Sequence, residues 1–179
     1  MVLGISELKK LVDEDKLVEN LCEREINTPE GAGFDLRLDK LYQIKGRSFL
    51  GIDERETVDV QEVASYDENN RTSYIIKPGE YYLTQTIEKV NMPDNLIAFV
   101  KPRTTLFRSG ILLRTGAVDP GYTGILNFGL YNAGGCDFEI EMGARYCHII
   151  FMQIKGESKT YRGQWQGGRV VTNGKEKQI

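Results

Sequence analysis

The chain has 179 residues, of which 40% are hydrophobic and 27% are charged, and this is enough for one domain with a hydrophobic core. Its net charge of -3 provides no basic field for a nucleic-acid backbone, which argues against a DNA- or RNA-binding protein. The three cysteines lack metal-site spacing, and no apolar leader or membrane-length run is present, so we expect a cytoplasmic protein without disulfide framework, metal cage or membrane partner.

An amphipathic helix is predicted near the amino terminus. Ser6 is a suitable N-cap, and Glu7 falls in the first turn, where the helix dipole favours an acidic side chain. Apolar residues then recur on one helical face, at Leu8, Leu11, Val12 and Leu17. We expect this helix to pack on the outside of the domain or on a neighbouring subunit.

From Gly33 onward, short segments alternate with turn signals such as Lys77-Pro78-Gly79. Strands of about five residues with Gly and Pro between them are typical of an all-β protein, here a distorted jelly roll or β-barrel over residues 1–159. The apolar segments 95–100, 125–131 and 146–154 are expected to carry the core. The absence of βαβ alternation and of a Gly-rich phosphate loop disfavours Rossmann and P-loop enzymes.

Two polar stretches are expected to lie outside this core. The charged residues 53–70 predict a surface excursion. The glycine-rich residues 160–179 predict a flexible carboxyl-terminal arm, whose last nine residues should lack fixed structure without a ligand.

The most informative turn of the chain follows Val118. In Asp119-Pro120-Gly121, Asp accepts hydrogen bonds from the following backbone, Pro fixes φ and Gly takes positive φ. Such a turn holds the Asp119 carboxylate at a strand end, where it can orient a water molecule. An ordinary turn aspartate is the alternative interpretation, because turns are rich in Asp.

A basic, hydroxyl-rich segment precedes that turn. Arg103, Thr104, Thr105 and Arg108 lie within six positions, and guanidinium forks and hydroxyls are suitable ligands for phosphate oxygens. A polar strand end with solvated arginines is the alternative.

These two segments belong to an ordered series of short motifs. The series is Gly31-Ala32-Gly33-Phe34-Asp35-Leu36, then Lys77 to Leu83 with Thr86 and Glu88, then Pro102 to Gly110, Val118 to Gly124, Gly143 to His148, and the tail Tyr161 to Gly168. In this order the motifs resemble those of the superfamily of dUTP pyrophosphatases (dUTPases) and dCTP deaminases, and archaeal-type dUTPases most of all. The second motif carries Thr at both positions where the family has Ser.

The resemblance implies a dUTPase-like fold and a homotrimer whose subunits share active sites around a pyrimidine deoxynucleoside triphosphate. It implies that Asp119 is the base that orients the attacking water and that Tyr122 stacks on the deoxyribose. The main chain of Gly116, Ala117 and Val118 would pair with the base. The other substrate-binding residues that it implies are Arg103, Thr104, Thr105, Arg108 and Arg145, with Arg162, Gln164, Trp165 and Gln166 in the arm. Mg²⁺ would be held mostly through the triphosphate and waters.

One position separates the two chemistries of the superfamily. By the resemblance, a deaminase carries a proton-shuttling Glu five residues beyond Gly124, and this chain has Gly129 there. Glu139 and Glu141 lie beyond a separate turn. Because loss of a general acid/base is typically worth about 10²–10⁴ in rate, deamination is disfavoured and dUTP hydrolysis to dUMP and pyrophosphate is predicted. A dCTP deaminase, a bifunctional enzyme and a silent nucleotide-binding module stay open as alternatives.

Three features depart from the family pattern. The hairpin between Gly110 and Asp119 is short, Trp165 replaces an expected Phe, and His148 replaces an expected Gln. His148 is either a core or interface histidine or a phosphate contact.

Overall fold

A computed structural model describes residues 1–178, and these contain three short helices. They are α1 (Ile5–Asp15), α2 (Glu23–Asn27) and α3 (Thr104–Arg108). Helix α1 confirms the predicted amino-terminal helix and buries Leu8 completely. Its N-cap is Gly4, so Ser6 lies inside the first turn, and it ends at Asp15, so Leu17 is buried beyond the helix and not on its face. None of the helices within the described residues has the length and hydropathy needed to cross a membrane.

The same residues form fourteen β-strands. They are β1 (Val18–Glu19), β2 (Phe34–Lys45), β3 (Phe49–Leu50), β4 (Glu54–Glu56), β5 (Asp59–Ser65), β6 (Ser73–Ile76), β7 (Tyr81–Asn91), β8 (Leu96–Pro102), β9 (Ile111–Arg114), β10 (Ala117–Val118), β11 (Thr123–Asn132), β12 (Phe138–Glu141), β13 (Arg145–Gln153) and β14 (Glu176–Lys177).

Nine strands build one curled antiparallel sheet, a half-barrel. Its order is β10-β8-β13-β2-β7-β11-β9, with β1 added to β7 and β5 added to β2. The first half of β2 pairs with β13 and the second half with β5 and β7, with register shifts where the partners change. The alternation of apolar residues in β8, β11 and β13 supplies much of the core, as the sequence predicts. The all-β prediction is confirmed.

Two smaller sheets complete the fold. Strand β12 pairs with β6, and β14 pairs with β4, which pairs with β3. Residues 53–70 lie at the surface, as predicted, and none of them is buried, but the stretch contains β4 and β5, and Val63 and Ala64 pack against the core.

The prediction that residues 171–179 lack fixed structure is wrong for residues 171–178, while residue 179 lies outside the described part. Thr172 is buried, and its backbone N–H donates to Thr57 Oγ1 (2.8 Å) while its own Oγ1 accepts from the Thr57 N–H (3.0 Å). The β3–β4 hairpin and Thr57 after it thus supply the hydrogen-bond partners that order the tail, and the tail sequence gives no sign of them.

Candidate active site

One cleft of about 820 Å³ lies among strands β7, β9 and β11, the β3–β4 hairpin and the carboxyl-terminal arm. This volume is typical of small-molecule sites. Its lining includes apolar residues such as Leu83 together with several charged groups. Six residues predicted from the sequence line it, namely Gly116, Ala117, Val118, Asp119, Tyr122 and Trp165.

The turn that carries the Asp119 carboxylate is fixed by a hydrogen bond within the turn and by two more to Met92. The Tyr122 N–H donates to the Asp119 carbonyl (3.2 Å), and Gly121 has a φ of +74°, which favours glycine. Met92, at the end of the β7 segment, accepts from the Gly121 N–H (3.0 Å) and donates to the Tyr122 carbonyl (2.8 Å). Asp119 itself is exposed, so a fixed main chain presents a carboxylate to the cleft.

Tyr122 lines the same cleft but is held by the protein on most sides. The side chain is only 8% exposed, its hydroxyl donates to the Ile125 carbonyl (2.7 Å), and its ring meets Tyr161 edge-on at 5.4 Å. Burial raises the pKa of Tyr122 to about 12, so the phenol stays neutral. Its stacking on a deoxyribose stays a prediction.

Main-chain groups for base pairing are available beside this turn. Strand β10 pairs through Ala117 with Phe99 and through Val118 with Ala98, which fixes the segment against β8. Gly116 and Ala117 are exposed and border the cleft. The arrangement is compatible with the predicted edge pairing of a pyrimidine.

The floor of the cleft contains a feature that the sequence analysis does not predict. Gly129 in β11 pairs in register with Arg114 of β9, and both border the cleft. A Cβ at position 129 would lie 1.9 Å from the Tyr81 hydroxyl. Tyr81 therefore occupies the space that a side chain at position 129 would need.

The carboxyl-terminal arm is packed along the Asp119 turn and strand β11. The Tyr161 N–H donates to the Pro120 carbonyl (2.6 Å), and the Gly167 N–H donates to the Thr123 carbonyl (2.8 Å). A Cβ at Gly124 would lie 2.6 Å from the Gly167 carbonyl carbon, so this close approach requires glycine. The arm thus closes one side of the cleft.

The four predicted arm residues differ in where they lie relative to the cleft. Trp165 borders the cleft, with the Arg55 guanidinium 4.6 Å and the Arg169 guanidinium 5.8 Å from its ring centroid. Gln164 accepts from Arg55, and Gln166 anchors the arm by donating to the Gly121 carbonyl (3.1 Å). Arg162 is exposed and does not line the cleft.

The β3–β4 hairpin supplies charged cleft residues that the sequence analysis missed. Arg55 and Glu56 both line the cleft, and Arg55 reaches Glu176 at 3.1 Å. Arg169 reaches the same carboxylate at 2.8 Å, and the hydrogen bond from Arg169 holds the pKa of Glu176 below its usual range despite an opposing desolvation effect. No local motif indicates these contacts, since they join segments that are far apart in the chain.

The predicted phosphate ligands of the second and fourth motifs do not line the cleft. Thr104 and Thr105 begin α3 and Arg108 ends it, and all three are exposed. Arg103 and Arg145 instead bind Asp35, at 3.1 Å and 3.0 Å. Within one chain, the predicted site residues therefore lie in two separate places, one group at the cleft and the other around α3 and Asp35.

Asp35 is the centre of a charge cluster formed by Arg24, Glu25, Asp35, Arg103, Arg145 and His148. His148 Nδ1 lies 2.9 Å from Asp35 Oδ1, and buried Glu25 accepts from Arg145 (3.3 Å) and from the Asp35 N–H (2.9 Å). Burial raises the pKa of Asp35, but the His148 hydrogen bond and the two guanidinium charges outweigh it and lower the pKa overall. His148 is thus a half-buried partner of Asp35.

Three comparisons relate this architecture to known proteins. A family model described as dCTP deaminase-like matches residues 2–154. A dCTP deaminase, dUMP-forming, from Sulfurihydrogenibium sp. is 32% identical over 178 residues, which cover 96% of this chain and 95% of that protein. A probable deoxyuridine 5'-triphosphate nucleotidohydrolase from Methanothermobacter thermautotrophicus is 30% identical over 167 residues, which cover 93% of this chain and 99% of that protein.

Among solved structures, the 2'-deoxycytidine 5'-triphosphate deaminase of Agrobacterium tumefaciens is similar in fold. The TM-score is 0.66 at 18% sequence identity, over 86% of this chain and 48% of that chain. This chain therefore matches about half of that structure, and the likeness supports the mostly β, curled half-barrel fold.

Proposed function

Because the chain belongs to the dCTP deaminase-like family, whose model matches residues 2–154, we propose that it is an enzyme acting on a pyrimidine deoxynucleoside triphosphate. The names of the two relatives refer to dCTP and to deoxyuridine triphosphate. The cleft is suited to such a ligand, since Leu83 provides apolar surface for a base and Arg55 and Arg169 provide cations for phosphates.

The reaction that the cleft residues support best is hydrolysis to the monophosphate and pyrophosphate. The observation that carries this proposal is the combination of Asp119 on a fixed turn with glycine at position 129. A carboxylate is available to orient water, whereas the position that the resemblance assigns to the deaminase Glu has no side chain to move a proton.

In the proposed step, Asp119 accepts a proton from a water molecule that attacks the α-phosphorus. The bond between that phosphorus and the oxygen bridging to the β-phosphorus breaks, and pyrophosphate leaves with the bonding electron pair. Alignment of the water and neutralisation of charge on the leaving group are the main contributions expected of the protein.

Mg²⁺ fits this site as a substrate-borne ion. Within residues 1–178, no three His, Cys, Asp or Glu side chains cluster as a metal cage. Mg²⁺ is commonly bound through one or two carboxylates, substrate phosphates and waters, and Asp119 and Glu56 are the carboxylates at the cleft. When bound, the ion would neutralise triphosphate charge.

A homotrimer with shared sites is part of the proposal. Arg103, Thr104, Thr105 and Arg108 lie away from the cleft of their own chain, and the last three are exposed. A second copy could bring these groups to the triphosphate, which would join the two groups of motifs. In such a trimer, these four residues would be phosphate ligands of the neighbouring subunit's site.

Deamination of dCTP is the second candidate, and the comparisons favour it over the sequence-based expectation. The matching family model is dCTP deaminase-like, and the Sulfurihydrogenibium relative is a dCTP deaminase. Of these comparisons, the Methanothermobacter relative alone supports the dUTPase branch. Glu56, half-buried at the cleft, is the available proton carrier for water addition at C4 and departure of ammonia. A dUMP-forming enzyme would combine both reactions.

The experiment measures pyrophosphate and ammonia separately after incubation of the protein with Mg²⁺ and dUTP or dCTP. Hydrolysis predicts pyrophosphate from dUTP, lost in Asp119→Asn. Deamination predicts ammonia from dCTP, lost in Glu56→Gln but kept in the control Glu54→Gln, whose carboxylate pairs with Lys175 at 2.5 Å. Nucleotide binding without either product would identify a silent binding module and overturn both reactions.

A further inference from the structure

The need for glycine at position 129 is steric: it comes from the nearby Tyr81 side chain and not from the backbone conformation of residue 129. Gly129 lies in the regular part of β11, paired with Leu83 of β7 and Arg114 of β9, so its backbone is compatible with any residue. A Cβ there would lie 1.9 Å from Tyr81 Oη and 2.7 Å from Tyr81 Cζ. Glycine at this position leaves room for the phenol.

The Tyr81 hydroxyl differs from the hydroxyls of the buried core tyrosines. Those of Tyr82, Tyr122 and Tyr146 bond to Glu80, to the Ile125 carbonyl and to Thr84, respectively. Within residues 1–178, the Tyr81 hydroxyl has no hydrogen-bond partner, and every fully buried side-chain nitrogen or oxygen atom has one. The Tyr81 hydroxyl is therefore accessible in the cleft, and its hydrogen-bonding capacity is unused.

The surroundings favour donation from this hydroxyl to a ligand. Burial raises the pKa of Tyr81, and Arg114 opposes this effect only in part, so the phenol keeps its proton at neutral pH. Arg114 carries only donors, and its positive charge favours an acceptor atom nearby. Leu83, paired with Gly129 and on the same face of the sheet, adds apolar surface for a flat ring. A carbonyl oxygen on an aromatic ring suits this combination.

We propose that Tyr81 is a specificity-determining residue that, together with Arg114, donates to the 4-oxo group of a uracil ring, and that the donor-only guanidinium beside it disfavours the 4-amino group of cytosine. The proposal rests on the proposed function, because it takes a pyrimidine nucleotide as the occupant of the cleft. The sugar is attached at N1, opposite C4. With the charged phosphates toward solvent, the C4 substituent reaches farthest into the floor formed by Tyr81 and Gly129.

The test compares binding of two non-hydrolysable nucleotides, the α,β-imido analogues of dUTP and dCTP, by titration calorimetry. Tyr81→Phe removes only the hydroxyl. Tyr131→Phe is the matched control, because that ring lies 6.5 Å from Tyr81 and does not line the cleft. Gly129→Ala is a second variant, whose added methyl should displace the hydroxyl. Thermal unfolding confirms that each variant is folded.

The wild type should prefer the uracil analogue, and Tyr81→Phe should reduce this preference about fivefold, as expected for one hydrogen bond. Gly129→Ala should act in the same direction, and Tyr131→Phe should leave the preference unchanged. An unchanged preference in Tyr81→Phe, an equal change in Tyr131→Phe, or a wild-type preference for cytosine would overturn the assignment while leaving nucleotide binding intact. Failure of the wild type to bind either analogue would instead overturn the proposed function, and this assignment with it.

Discussion

Arg55 should determine how firmly the carboxyl-terminal arm is held. Its guanidinium lies 4.6 Å from the centroid of Trp165, 3.1 Å from Glu176, and donates to Gln164. The cation–π contact contributes about 1 kcal/mol, and the partly buried ion pair with its hydrogen bond contributes about 1 kcal/mol more. Replacing Arg55 by Met removes both, so local opening of the arm should increase roughly thirtyfold.

Hydrogen exchange at the Gly167 amide measures this opening, because that N–H donates to Thr123 in β11 (2.8 Å). Trp165 is the only tryptophan, so its fluorescence gives an independent signal from the same arm. Arg71→Met is the control, since the Arg71 side chain is 89% exposed and its nearest carboxylate lies at 3.9 Å. Less than a threefold change in exchange at Gly167 would refute the argument that Arg55 holds the arm.

Three further predictions concern Asp119, Tyr122 and Asp35. Asp119→Asn should reduce pyrophosphate release from dUTP by about 10²–10⁴-fold with unchanged thermal unfolding, and near-normal turnover would remove Asp119 from the mechanism. Tyr122→Ala should raise the rate with UTP relative to dUTP, and an unchanged ratio would contradict the sugar contact. Because the pKa of Asp35 is lowered in the folded state, its stabilisation is present above an unfolded value of about 3.9 and is lost as pH falls further. The stability difference between wild type and Asp35→Asn, from denaturant titrations, should therefore shrink in acid, and a constant difference would contradict the ionic role.

The parts of the fold that could be predicted are those set by local chemistry. The Asp119 turn follows from Asp-Pro-Gly, and β8, β11 and β13 follow from apolar segments bounded by turn residues. The amino-terminal helix follows from its apolar face, although the cap is Gly4 instead of Ser6. In each of these cases, the determining residues are neighbours along the chain.

The parts that could not be predicted depend on contacts between distant segments. The pairing of β14 with β4, and with it the order of residues 171–178, requires the β3–β4 hairpin to lie beside the arm. The sequence also gives no sign that Arg103 and Arg145 bind Asp35 in their own chain. A guanidinium binds carboxylates and phosphates equally well, so the sequence alone could not show which of the two each arginine binds.

The most direct test of the proposed reaction is the fate of the solvent oxygen. Hydrolysis of dUTP in H₂¹⁸O with Mg²⁺, followed by mass spectrometry of both products, should place one ¹⁸O atom in dUMP and none in pyrophosphate. This result is expected if water oriented by Asp119 attacks the α-phosphorus. Label in pyrophosphate, or ammonia release from dCTP with dUTP left intact, would contradict the account.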